Sequence, residues 1–259
     1  MLFLVISFLF GLITGSFLSC VIYRLRKKES FIKGRSYCPN CKHILSWKDL
    51  IPVVSFILLK GKCRYCQKKI SLEYPLIELS SGFLFFLAAL SLEPLTPDKA
   101  PTLFYLWLIF SLFLVIFVFD LKYLLIPDSV LNLGIAISLI FFFFQSLKKG
   151  NFDFYSLLLS LLPSLFFLCL VLISKESWMG FGDFKLSIFL GLFLGWRKLL
   201  VSLFLSFFFG AGVGLILIFL KKKTLQSKIP FAPFLIFSSI LAFFFGENLL
   251  DWYFSLLVK

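Results

Sequence analysis

Residues 154–196 read "FYSLLLSLLPSLFFLCLVLISKESWMGFGDFKLSIFLGLFLGW". Two almost pure hydrocarbon runs, 154–173 and 186–196, flank a short polar stretch. Inside that stretch the carboxylate of Asp183 stands among Gly180, Phe181 and Gly182. The upstream run has the roughly 20 residues that a helix needs to cross a bilayer. An ionisable group at the edge of such a helix is costly, and it marks a place where function is expected.

Runs of the same kind recur along nearly the whole chain. Of 259 residues, 60% are hydrophobic, so the chain lies far outside the range of a soluble domain. The runs predict spans at about 1–23, 76–92, 102–119, 129–147, 154–173, 186–196, 199–220 and 231–254. The expected fold is an all-α polytopic membrane protein of about eight helices, with a small cytoplasmic insertion. The sixth span is short, and Arg197 and Lys198 divide it from the seventh. The first apolar run has no basic residue before it and is followed by "RLRKK" at 24–28, the reverse of a secretory signal's charge order. It reads as a retained span with its N-terminus outside. The 38 phenylalanines are most simply lipid-facing bulk.

The formal charge is +13, and its placement is more informative than its size. Thirteen of the 26 Lys and Arg residues fall between Arg24 and Tyr74. With eight spans, segments 24–74, 120–128, 174–185 and 221–228 share one side and hold 20 of the 26. The positive-inside rule makes that side the cytoplasm. The basic balance is then a topology signal, and membrane lipid rather than nucleic acid is the expected surroundings. The implied organisation is a first span (1–23), a cysteine-rich cytoplasmic segment (24–74) and a helical membrane domain (75–259).

Four of the six cysteines lie in the basic segment as two C-x2-C pairs, Cys38 with Cys41 and Cys63 with Cys66. Two tight thiolate pairs supply the four soft ligands of a closed tetrahedral zinc site, which would be structural because no position stays open. His43 is a spare ligand. The alternative is a disulfide or unused thiols, which a reducing cytoplasm disfavours. A segment this poor in large apolar residues needs such a staple to fold.

Two acids, Asp120 and Asp183, each stand where an apolar span meets the cytoplasmic face. Each alone reads as a helix-end marker or cap. Together they suggest more, because two aspartates brought close can share a proton. One then takes a proton from water while the other gives one to a scissile carbonyl. Gly180 and Gly182 frame Asp183 and leave room for close backbone approach. Glu78, in "YPLIELSSG", is either a functional intramembrane acid or a side chain that snorkels or pairs with an Arg or Lys of the basic loop. Asp128 follows Pro127 and reads as a helix cap.

Taken in series these pieces resemble the type IV prepilin peptidases, a family of membrane aspartic proteases. The likeness rests on "GSFLSCVIYRL" at 15–25, the cysteine segment at 38–79, "DLKYLLIPD" at 120–128, "GFGDFKL" at 180–186 and "PFAPFL" at 230–235. It implies an enzyme of the bacterial inner membrane that cuts the basic leader from prepilins or pseudopilins at the cytoplasmic face, in type IV pilus or type II secretion systems. It maps the catalytic pair onto Asp120 and Asp183, and the metal ligands onto Cys38, Cys41, Cys63 and Cys66. Many members also methylate the new N-terminus with S-adenosylmethionine, and Glu78 matches a glutamate of that segment. The chain departs from the family pattern at Phe181, Arg26 and Ala232, where Met, Pro and Gly are usual. These bear on substrate fit more than on reaction type. The rival readings are a cation- or proton-coupled transporter built on intramembrane acids, and a membrane scaffold with a zinc-bearing partner module.

Overall fold

The computed structural model describes residues 1–30, 34–150, 154–177, 179–221 and 229–257. The helices are α1 (Leu2–Lys27), the short α2 (Val54–Leu58), α3 (Glu73–Leu90), α4 (Ala100–Tyr123), α5 (Asp128–Lys149), α6 (Phe154–Ser174), α7 (Phe181–Phe219) and α8 (Ala232–Leu257). Among the described residues seven helices are long and apolar enough to cross a membrane. There is no strand among them beyond two isolated bridges, Tyr37 with Ile44 and Lys62 with Lys69. The basic run at 221–228, read as a topology signal, lies outside the described residues beyond Lys221.

The chain forms two compact units, Met1–Val115 and Ile116–Lys259. In the first, α1 packs on α3 through small residues, which is how helices approach closely where lipid removes the hydrophobic drive. A Cβ on Gly11 would lie 2.7 Å from Gly82 Cα, and one on Gly15 would lie 2.6 Å from Glu78 Cα. The start of α4 joins this unit through Trp107. Its ring stacks on Phe85 at 5.2 Å, and its indole N–H donates to the Phe85 carbonyl at 3.4 Å.

In the second unit α7 is central and packs against α5, α6 and α8. Gly134 of α5 makes room for the Phe189 ring, and Gly191 lies against the Ser160 carbonyl of α6. α4 ends here. Leu124 turns left-handed at φ 53° and its N–H closes on the Asp120 carbonyl at 2.9 Å. Pro127 then starts α5.

The expected sixth and seventh spans form one helical run, α7, of 39 residues. At 1.5 Å per residue a straight helix of that length would be about 58 Å, nearly twice a bilayer's hydrocarbon core. The run is broken at Gly195, whose φ of 73° and ψ of 167° only glycine adopts freely. Leu199 Cδ2 lies 3.4 Å from a Cβ built on Gly191. Eight residues along a straight helix would be about 12 Å apart, so the chain folds back at Gly195. The boundary expected at Arg197 is therefore real, but it is a one-residue reversal and not a loop. The Arg197 guanidinium approaches Glu247 at 3.8 Å, and Lys198 Nζ donates to the Phe243 carbonyl at 3.3 Å, which fixes the reversal against α8. Gly195→Ala should cost about 1–3 kcal/mol and lower the melting temperature of the detergent-purified protein. An unchanged melting temperature would mean the reversal is not there.

Candidate functional site

Asp120 is buried on the last turn of α4, and Asp183 is half-buried on the first turn of α7. The two sequence-selected acids come close enough that the charge of Asp120 acts directly on Asp183. Each is also held by a main-chain N–H at the start of a helix. Asp120 accepts from Ala232, the first residue of α8. Asp183 accepts from Gly180, the N-cap of α7, whose carbonyl in return accepts from the Asp183 N–H at 3.1 Å. Helix starts carry unpaired N–H groups and partial positive charge, so they favour carboxylates. The motif "PFAPFL" acquires a role this way that its sequence alone does not suggest, since its contribution is a peptide N–H.

The two framing glycines differ. A Cβ on Gly182 would lie 3.2 Å from Ile126 Cβ, so this glycine lets the start of α7 close on the α4–α5 connection. A Cβ on Gly180 would have nothing nearer than Asp183 Oδ2 at 3.9 Å, so the space beside that carboxylate is open. Asp128 does not cap α5 as expected. It is the first residue of the helix, with Pro127 as N-cap, and its carboxylate takes a 2.7 Å ion pair from Lys185. That pair ties the two aspartate-bearing motifs together one turn beyond the acids.

The four cysteines of the basic segment converge. Their sulfurs all lie within 4.8 Å of one another, with Cys38 and Cys66 3.9 Å apart. Tetrahedral zinc with bonds of about 2.3 Å needs sulfurs about 3.8 Å apart, so the set fits that ion. Each pair sits on the same hairpin knuckle. The N–H of Cys38 donates to the His43 carbonyl at 3.0 Å, and that of Cys63 to the Lys68 carbonyl at 2.9 Å. The N–H groups of Lys42 and Gln67 turn back on the carbonyls of Cys38 and Cys63, at 2.9 and 3.0 Å, from left-handed residues. The thiols are unequal. Burial pushes Cys38 up, but the N–H groups of Cys41 and Asn40 aim at its sulfur and bring it down to about 7. The Lys68 N–H favours the Cys66 thiolate, yet burial and the neighbouring thiols push it up to about 11. His43 is not part of the set; its ring stacks on Tyr65 at 3.6 Å. Asp49 knits the second knuckle to the intervening turn, accepting from Arg64 at 2.8 Å and from the Ser46 hydroxyl at 2.8 Å.

Glu78 lies on α3 in the first unit, and among the described residues no Arg or Lys pairs with it. Its Oε2 accepts the Val53 N–H at 2.7 Å, and the Ser16 hydroxyl also bonds the carboxylate. Val53 has φ 60° and ψ −48°, and the Val54 N–H folds onto the Pro52 carbonyl. That is a γ-turn, which a β-branched residue adopts only when something holds it. Nothing in the sequence announces this bond, because its partner is a peptide group.

The chain matches the pattern of the bacterial peptidase A24 N-terminal domain over residues 9–92 and that of the type IV leader peptidase family over 107–215. It is 33% identical over 279 residues to a prepilin leader peptidase/N-methyltransferase of Aeromonas salmonicida (strain A449), covering 96% of this chain and 92% of the relative. The chain belongs to the type IV leader peptidase family. Family proteins of the same name from Bacillus subtilis (strain 168) and Pseudomonas aeruginosa are 32% and 31% identical, each over at least 96% of this chain and 93% of their own. No solved structure matches. As a member of this family the chain is a membrane peptidase, and the transporter reading has no support.

If the thiolates hold zinc, the purified protein should carry one ion per chain. Changing Cys38 and Cys63 together to Ser should remove the metal and lower the melting temperature. Metal content that survives this double change rules the four-thiolate centre out.

Proposed function

We propose that the protein removes the basic leader from prepilins or pseudopilins by aspartic peptidase chemistry, and then methylates the amine it exposes. The observation that carries the first reaction is the pairing of Asp120 and Asp183, each fixed by a helix-start N–H, with the charge of Asp120 acting on Asp183. Two carboxylates so held share one proton, because both cannot ionise cheaply side by side. The ionised one takes a proton from a water molecule, and the water oxygen attacks the scissile carbonyl carbon. The protonated one gives its proton to the carbonyl oxygen. Collapse of the tetrahedral adduct breaks the C–N bond, and the amine leaves with a proton from the dyad. Gly180 leaves space for the substrate backbone beside Asp183.

The distribution of basic residues supports an inner-membrane enzyme with its N-terminus outside and its dyad near the cytoplasmic face. A prepilin is an apolar helix with a basic cytoplasmic leader, so its cleavage site arrives at that depth. The enzyme's own cytoplasmic surface is basic, so local acids must draw the leader in. Segment 24–74 is the metal-stapled module and 75–259 carries peptide cleavage; zinc would hold the two knuckles together and take no part in hydrolysis. Methylation is supported by the names of the relatives. S-adenosylmethionine supplies an electrophilic methyl group for it, and Glu78 is the candidate side chain on the methyltransferase side.

Membranes bearing the protein, incubated with a prepilin, should release mature pilin. Asp120→Asn and Asp183→Asn, made separately, should each lower the cleavage rate on the order of 10³-fold or more with the melting temperature retained. Full activity in either variant would disprove the dyad.

A further inference from the structure

The segment between the two cysteine knuckles has an inverted amphipathic pattern. A short 3₁₀ turn, Trp47–Leu50, leads through the Val53 γ-turn into α2. Along it Trp47, Leu50, Ile51, Val54, Ile57 and Leu58 are exposed. These positions recur three or four apart, the spacing of one helical face. Trp47 is 71% exposed, Ile57 65% and Leu58 75%. The residues between them turn inward: Asp49, Ser55, Phe56 and Leu59 are half-buried and line a cavity of the first unit. A row of large apolar side chains left outside, with a carboxylate and a hydroxyl inside, marks a face that meets a membrane or another protein.

Depth decides between them. α3 has 18 residues, about 27 Å of helix against about 30 Å of hydrocarbon. Its whole length is needed to cross, so its first residue, Glu73, cannot stand far outside the apolar layer. Glu78 is five residues further on, about 7.5 Å along the axis, and its side chain leans back toward the helix start. Its carboxylate holds the Val53 N–H at 2.7 Å, and α2 begins at the next residue. That bond places α2 at the boundary between headgroups and acyl chains, where an amphipathic segment buries its apolar face about 5–10 Å deep. On α3 itself Leu76 and Leu79, on either side of Glu78 in sequence, are also exposed.

The charges agree with that placement. Lys48 and Lys60 stand at the two ends of the segment and both are exposed. Lys48 Nζ lies 5.6 Å from the centre of the Trp47 ring. Tryptophan favours the membrane–water interface, and a lysine there lays its stem on apolar surface while its ammonium stays among the headgroups. Asp49, the one acid within 44–60, is drawn away to Arg64. We propose that residues 47–58 dock on an anionic lipid surface. Trp47, Val54, Ile57 and Leu58 enter the outermost acyl layer, and Lys48 and Lys60 meet lipid phosphates. The cysteine module then lies on the membrane instead of standing clear of it as a solvated insertion, and the Val53–Glu78 bond sets how deep it sits.

The test uses the full chain in nanodiscs made of equal parts phosphatidylcholine and phosphatidylglycerol. In separate variants the photo-crosslinker p-benzoylphenylalanine stands in place of Ile57, of Leu58, and of Leu9, an exposed position of the α1 span. Irradiation should join lipid to the chain at each of them. At Ile57 and Leu58 mass spectrometry of the labelled peptide should find phosphatidylglycerol about fivefold over phosphatidylcholine. Lys48→Gln combined with Lys60→Gln should bring that ratio close to one. Lipid joined at Leu9 but at neither Ile57 nor Leu58 overturns the docking. Crosslinking of Ile57 or Leu58 to a second copy of the chain in place of lipid does so too. Equal labelling by the two lipids with both lysines present overturns the anionic surface as the partner.

Discussion

A carboxylate in an apolar helical bundle has to be given hydrogen bonds by the protein, since lipid supplies none. This molecule meets the requirement with peptide N–H groups. Ala232 serves Asp120, Gly180 serves Asp183, and Val53 serves Glu78. A fixed dipole stabilises charge without neutralising it, whereas a lysine partner would bind the acid up as a salt bridge. The acids are thereby kept in place and left available. The lysine that does stand nearby, Lys185, is directed to Asp128 at the surface.

The second consequence is that Asp120 and Asp183 stand where helices stop or start. Helix interiors have their N–H groups occupied, so Asp120 at the end of α4 needs the beginning of another helix brought to it. The Leu124 turn, Pro127, Gly182 against Ile126 and the Asp128–Lys185 pair all act on that short region. The knuckles of the first unit use the same device in another chemistry, aiming the N–H groups of Asn40 and Cys41 at the Cys38 sulfur.

Much of this was legible in the residues. Hydrocarbon runs marked the helices because a bilayer demands a fixed length of apolar chain. The C-x2-C spacing marked the four-cysteine cluster because a knuckle places two thiols on one side of a tight turn. The acids stood out because charge is rare in such a chain. What escaped was anything that depends on a main-chain donor. Glu78 was weighed against Arg and Lys partners, and it took Val53, whose side chain says nothing about its N–H. Asp128 was read from local chemistry as a cap, and a lysine 57 residues away claimed it. The reversal at Gly195 hid as a single glycine in an apolar run, because conformational freedom leaves no hydropathy signal.

That reversal sets a depth. Residues 181–194 make a half-helix of about 21 Å, some 9 Å less than the hydrocarbon thickness of a bilayer. Its two ends therefore cannot reach opposite headgroup layers at once. The exposed Asp128–Lys185 ion pair beside Asp183 belongs at a wet interface, so it is the reversal that stops short. Arg197 and Lys198 bring their own partners, Glu247 and the Phe243 carbonyl, to that depth.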